Sequence, residues 1–198
     1  MNPAVAADVL KVYQQIDQQT AAFQAATGLR CAAGCGRCCD NPHIEATPLE
    51  MLPAALELIR RAEAEQRLTQ LASLGSPSLC SFYEVDEAVP GNGRCQMYTW
   101  RPTLCRLFGY AASRDKQGQA VLATCAGHAI AMPEVLSDAQ GAIANGLPVP
   151  LFADWQSQVS SIDPHWGTQQ MPINQALRVA LERLSLVIAY QTASLEDS

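Results

Sequence analysis

The sequence predicts a mainly α protein in which a helical frame surrounds an irregular, cysteine-rich metal-binding lobe. Three observations carry this reading. Apolar residues recur at the helical period near both ends of the chain, residues 75–130 hold turn signals and only short apolar runs, and all eight cysteines fall between Cys31 and Cys125. A chain of 198 residues buries roughly 70% of its extended surface on folding. One domain over 1–198 then needs no covalent staples, with the cysteine region at 31–128 flanked by terminal helices.

Each element has its own warrant. From Pro3 to Thr27, the residues Val5, Val9, Val12, Ile16 and Phe23 recur mostly three or four apart, and Gly28 supplies a stop. Thr47-Pro48-Leu49-Glu50 has the order of a capping box with proline in the first turn, so a second helix should run from Pro48 towards Leu74. Pro53 lies in its early turns, where it shifts the start or bends the axis. Gly75-Ser76-Pro77, Pro90-Gly91-Asn92-Gly93 and Gln117-Gly118 then punctuate irregular chain with one short hairpin. A helix from Pro133 to Asn145 is stopped by Gly146-Leu147-Pro148. The last helix, Pro172 to Thr192, lines Ile173, Leu177, Leu181, Leu184 and Ile188 along one face.

With 48% hydrophobic and 16% charged residues, the composition is that of a folded protein and excludes disorder. A net charge of -6 argues against nucleic acid as a partner. No apolar stretch reaches the length a bilayer requires and the start lacks a signal-peptide pattern, so the expected location is the cytoplasm, off the membrane. In that reducing compartment clustered cysteines bind metal more often than they form bridges.

The motif at the heart of the chain is Cys31-Ala-Ala-Gly-Cys35-Gly-Arg-Cys38-Cys39, a C-x3-C-x2-C-C run in which Gly34 and Gly36 permit tight turns. Cys80, Cys95, Cys105 and Cys125 follow, each in a loop-like context. All eight are candidate ligands. Arg94, Arg101 and Arg106 lie in a stretch between Glu87 and Asp115 that has no acidic residue. They either offset the surplus negative charge of a thiolate centre or face water. His128, three residues after Cys125, and His43, four after Cys39, are expected outside the ligand set or at the surface, and His165 is expected to be structural. Tyr98 and Trp100 either stack on a ligand or pack against the centre. Adjacent side chains tend to diverge, so Cys38 and Cys39 are expected in different roles. In the simplest division Cys31, Cys35 and Cys38 share one centre, and Cys39 joins Cys80, Cys95 and Cys105. The alternative leaves one of the pair as an uncoordinated buried thiol.

Cys35-Gly36-Arg37-Cys38-Cys39, Leu79-Cys80-Ser81-Phe82, Cys95-Gln-Met-Tyr98-Thr-Trp-Arg101-Pro102-Thr-Leu-Cys105-Arg106 and Cys125 together resemble the YkgJ family of cysteine-cluster proteins. The resemblance spans about 31–128 and leaves the flanking helices uncovered. It implies a zinc- or iron-chelating domain, often labelled iron-sulfur. The first spacing departs from the family's usual C-x2-C.

The C-x3-C-x2-C spacing also resembles the cluster loop of radical S-adenosylmethionine enzymes. The chain lacks their alternating strand and helix pattern, so membership is excluded, but the same four-iron cluster is favoured. Three functional readings follow. The first is a metal-binding protein that holds an iron-sulfur cluster, with 4Fe-4S preferred, or zinc; a redox or electron-transfer role would need an exposed cluster edge. The second is a zinc-stabilised adaptor whose terminal helices meet a protein partner. The third, from a resemblance to the cluster domain of flagellin lysine methylase, is catalysis with S-adenosylmethionine.

Overall fold

Residues 1–89 and 91–196 are described in a computed structural model, those from 192 by backbone alone; Pro90 of the predicted turn lies outside them. In chain order the elements are α1 (Val5–Thr27), β1 (Glu45–Ala46), α2 (Pro48–Arg60), α3 (Ala64–Ser73), β2 (Tyr83–Val85) and β3 (Gly93–Cys95). A 3-10 turn (Tyr98–Trp100) leads to α4 (Thr103–Leu107), β4 (Ala112–Arg114), β5 (Ala120–Leu122) and α5 (Ala126–Ala131). The chain closes with α6 (Pro133–Ala144), α7 (Phe152–Ser160), α8 (Pro164–Gly167), β6 (Met171–Pro172) and α9 (Ile173–Glu196). The fold is mainly helical, as the periodicity predicts.

α2 is the central helix. Ten of its thirteen residues are buried, and both α1 and α9 pack against it. Ala54 and Ala55 on α2 and Ala176 and Ala180 on α9 are fully buried, small side chains that admit close approach. Larger Leu49, Leu52, Leu58, Leu177, Leu181 and Leu184 fill the same core with Val9, Val12, Tyr13 and Ile16 of α1. Of the stripe predicted for α9, Ile188 is only half-buried. α1 stops where expected, Gly28 adopting φ 75° and donating its N–H to the Gln24 carbonyl at 2.8 Å.

The helix expected from Pro48 to Leu74 is two helices. Its start is the capping box, with the Glu50 N–H on Thr47 Oγ1 at 3.2 Å and the Thr47 N–H on Glu50 Oε2 at 2.8 Å. It ends early because Ala62 turns left-handed at φ 58°, and Glu63 N–H reaches back to the Leu58 carbonyl at 2.8 Å. That is a Schellman closure with alanine where glycine is usual. Arg60, Arg61, Glu63 and Glu65 give this stretch no apolar face that would hold a continuous helix in the core. Pro53 is accommodated inside α2.

The middle of the chain carries two hairpins where one was expected. β2 pairs antiparallel with β3, Tyr83 opposite Cys95, and β4 with β5, Ala112 opposite Leu122. A further pair, β1 with β6, joins residues distant in sequence, Ala46 opposite Met171. α7 and α8 were not expected: α8 is a single turn, and α7 shows the helical period only through Phe152, Trp155 and Val159. Phe23, Leu29, Tyr110, Leu122, Ala139 and Ile143 form a second, smaller core between the end of α1, the β4–β5 hairpin and α6.

Buried polar groups tie the short elements to the frame. Arg106 of α4 is 4% exposed. Its Nε donates to the Arg101 carbonyl at 2.9 Å, its terminal nitrogens donate to the Thr99 carbonyl and to Asp17 of α1, and its guanidinium lies 4.3 Å over the Tyr13 ring. Glu50, also buried, accepts the Thr103 N–H at 3.2 Å, while Tyr13 donates to the Glu50 carbonyl at 2.8 Å. No helix among the described residues is long and apolar enough to cross a membrane.

Two outcomes follow for urea unfolding. Ala62→Gly should raise stability by about 0.5–1 kcal/mol, since the left-handed conformation costs an L-residue more than the added backbone freedom costs glycine. Asp17→Ala should lower it by about 1–3 kcal/mol by removing the carboxylate from a buried guanidinium, less than for a fully buried pair because Asp17 is half-exposed.

Candidate metal centre

The cysteine loop leaves α1 through buried Leu29 and is pinned at once. Tyr110 accepts the Cys31 N–H at 2.8 Å and donates its hydroxyl proton to Cys31 Sγ at 3.0 Å. The loop then docks along the β2–β3 hairpin. Gly36 N–H bonds the Gly91 carbonyl at 3.1 Å, Gly93 N–H bonds the Gly34 carbonyl at 3.0 Å, and Cys35 bridges to Asn92. Backbones meet this closely because both sides carry glycine: a Cβ on Gly36 would stand 2.8 Å from the Gly93 nitrogen. From Gly36 the chain winds into a turn, with the Cys39 and Asp40 N–H groups on the Gly36 carbonyl at 2.9 and 3.1 Å.

That turn changes the expected geometry of the adjacent pair. Side chains diverge in extended chain, but in a wound turn they need not, and Cys38 Sγ and Cys39 Sγ stand 4.0 Å apart. The pair shares a hydrogen bond that pulls the Cys38 thiol down to about 6 and raises that of Cys39.

All eight cysteines are free thiols, and they fall into two neighbourhoods. Cys80 precedes β2, Cys95 ends β3 and Cys105 lies on α4; all three pack against the main core. Burial raises the thiol of each, Cys80 to about 11, and Cys105 is raised further by Cys80, Cys95 and Cys38. Cys105 and Cys95 also raise Cys39. Cys31 lies on the other side, raised by burial and then by Cys35, Cys125 and Cys38, against the Tyr110 hydrogen bond. Cys125, at the N-cap of α5, is buried there. Cys38 faces both groups.

The arginines divide. Arg101, stacked 3.8 Å from the Tyr98 ring centre and 4.0 Å from Asp17, also faces the thiols, helping to lower Cys38 and opposing the burial that raises Cys95. Arg106 serves the frame, and Arg94 pairs with Glu84 across the hairpin at 2.8 Å. Trp100 lies under Arg61 at 5.1 Å, so each aromatic has a guanidinium on its face.

Among the described residues, no three His, Cys, Asp or Glu side chains are gathered as they stand around a point that would hold an ion. Donor chemistry and spacing nevertheless fit one. Two zinc–sulfur bonds of about 2.3 Å in a tetrahedral site place their sulfurs about 3.8 Å apart, close to the Cys38–Cys39 separation.

His43 and His165 are exposed, and His165 sits edge-on to Trp166 at 4.6 Å. His128 is neither at the surface nor remote: it is 3% exposed, with Nε2 3.7 Å from Cys31 Sγ. Burial lowers its pKa. Tyr110 was not foreseen, and its local sequence holds no signal for a contact across seventy-nine positions.

Gly93→Ala should free the loop, because the new Cβ would meet the Glu84 carbonyl oxygen at 2.7 Å. The expected result is a loss of about 1–3 kcal/mol together with faster hydrogen exchange at the Gly36 amide. No curated protein and no solved structure matches the chain. A family model does: CxxCxxCC, described as "Putative zinc- or iron-chelating domain", over residues 30–126. The matched segment contains every cysteine and the loop, hairpins and α4 that carry them, and it is this part of the chain that is similar to the CxxCxxCC family.

Proposed function

We propose that this protein chelates zinc through its clustered thiols, and that the bound ion fastens a lobe with few backbone ladders. The observation that carries the reading is the 4.0 Å separation of Cys38 Sγ and Cys39 Sγ in a lobe whose eight thiols are all free. Cys38 and Cys39 would share one ion with thiols of the Cys80, Cys95 and Cys105 group, and Cys31 would act with Cys35 and Cys125. Zinc held by thiolates would supply attachment and no redox chemistry. The chain is read as one domain, since α4 contributes both a thiol to the lobe and Leu107 to the frame's core.

A second reading is a four-iron cluster with a redox role. It is favoured by the C-x3-C-x2-C spacing and by Cys31, which is exposed and would place a cluster edge near solvent. Each thiolate of such a cluster holds its own iron, so its sulfurs stand farther apart than the Cys38–Cys39 pair. Metal analysis and visible absorption of protein purified without oxygen separate the two. Colourless protein with one or two zinc ions supports the first, and brown protein with iron and sulfide replaces it with the second.

Two outcomes test the ligand set. Cys38→Ser and Cys39→Ser should each lower bound metal; full metal content in both would remove the motif from the site. Stripping the metal should speed hydrogen exchange across 31–128 well before α1 and α9 are affected, because metal-binding energy is folding energy for the lobe. Uniformly slow exchange after complete removal would contradict this.

A further inference from the structure

We propose that His128 is a metal ligand, joining Cys31 and Cys125 in a mixed nitrogen–sulfur site separate from the Cys38–Cys39 pair. This rests on the chelating reading above and adds a donor that lies outside the matched 30–126 segment.

The geometry begins with the approach of His128 Nε2 to Cys31 Sγ, 3.7 Å. A tetrahedral ion with bonds of about 2.3 Å to sulfur and about 2.0–2.1 Å to nitrogen sets those two atoms about 3.6 Å apart. His128 is 3% exposed, and its other ring nitrogen, Nδ1, is buried against the Gly109 backbone. With Nδ1 turned to the Gly109 backbone, Nε2 is the nitrogen left to bind, and its neighbour is a thiol, a weak hydrogen-bonding group for a buried imidazole. A ligand role gives Nε2 a strong partner.

The surroundings place the ring deliberately. Cys125 is the N-cap of α5 and His128 its third residue, a spacing that puts both side chains on one helix face. Gly109, at φ 84°, passes close beneath the ring: a Cβ there would stand 3.2 Å from His128 Cε1 and 3.5 Å from the Cys125 Cβ. The Tyr110 hydroxyl, whose ring packs 5.4 Å from that of His128, fixes Cys31 Sγ at 3.0 Å, the kind of outer hydrogen bond that orients a ligating thiolate. With His128 as donor, the Cys31, Cys35 and Cys125 group reaches the four donors of a closed zinc site without drawing on the Cys38–Cys39 pair.

The test uses the full chain, labelled with nitrogen-15 in its three histidines and loaded with cadmium-113 as the probe after removal of resident metal. A bond between Nε2 and the ion splits that nitrogen's resonance by scalar coupling, and proximity alone does not. The expected result is a doublet for His128 only. In parallel, His128→Ala should lose one bound metal equivalent and His128→Cys should keep it. An unsplit His128 signal in protein that has taken up cadmium overturns this inference and leaves thiol chelation standing; it would make His128 a hydrogen-bond donor to Cys31. A chain that takes up no cadmium, zinc or iron overturns both.

Discussion

A guanidinium that is 4% exposed must find its partners inside the protein, and the positions of the thiols follow from where Arg106 finds them. Its donors reach Asp17 on α1 and the Thr99 and Arg101 carbonyls in the turn that precedes α4, and its face lies on Tyr13. Cys105 is the adjacent residue. Removing the half-exposed Asp17 carboxylate from this buried charge should cost about 1–3 kcal/mol, and the carbonyl and ring contacts add to it, so the contact holds α4 against the frame more firmly than five helical residues could hold themselves. Glu50 repeats the arrangement at the other end of α4, accepting the Thr103 N–H while it caps α2.

From this anchor the lobe acquires two supports. Cys80, Cys95 and Cys105 rest on the main core, which α1, α2 and α9 build. Cys31 is held by Tyr110, a member of the smaller core that closes the end of α1 against α6. The loop from Cys35 to Cys39 crosses between them along the β2–β3 hairpin. Thiols assigned to different neighbourhoods therefore differ in what would move them: one set is tied to the helical frame, the other to a tyrosine hydroxyl and a hairpin.

Much of this was legible in the sequence, and the failures have physical causes. The terminal helices were readable because long amphipathic segments repeat one period many times, and the start of α2 because a capping box is a local device. Its early end was not, since alanine in a left-handed turn leaves no compositional mark at Ala62. The cysteine spacing signalled a metal, but the relation of Cys38 to Cys39 depends on hydrogen bonds to the Gly36 carbonyl that no spacing rule encodes. An arginine-rich stretch looked like one electrostatic feature. It proved to be divided, because Arg94 on a strand pairs with Glu84, while Arg101 in a turn and Arg106 on a helix both reach Asp17 and stack on different tyrosines. Contacts such as Tyr110 with Cys31 and Cys31 with His128 join residues seventy-nine and ninety-seven apart, and only the folded chain brings them together.

The central claim is that the eight free thiols serve as ligands. Mass spectrometry after brief alkylation of the native chain, with and without prior chelator, measures this most directly. Most of the eight should stay unmodified in the metal-loaded protein, exposed Cys31 included, and become reactive once the metal is stripped. If the same cysteines react at the same rates under both conditions, the thiols are not ligands and the account fails.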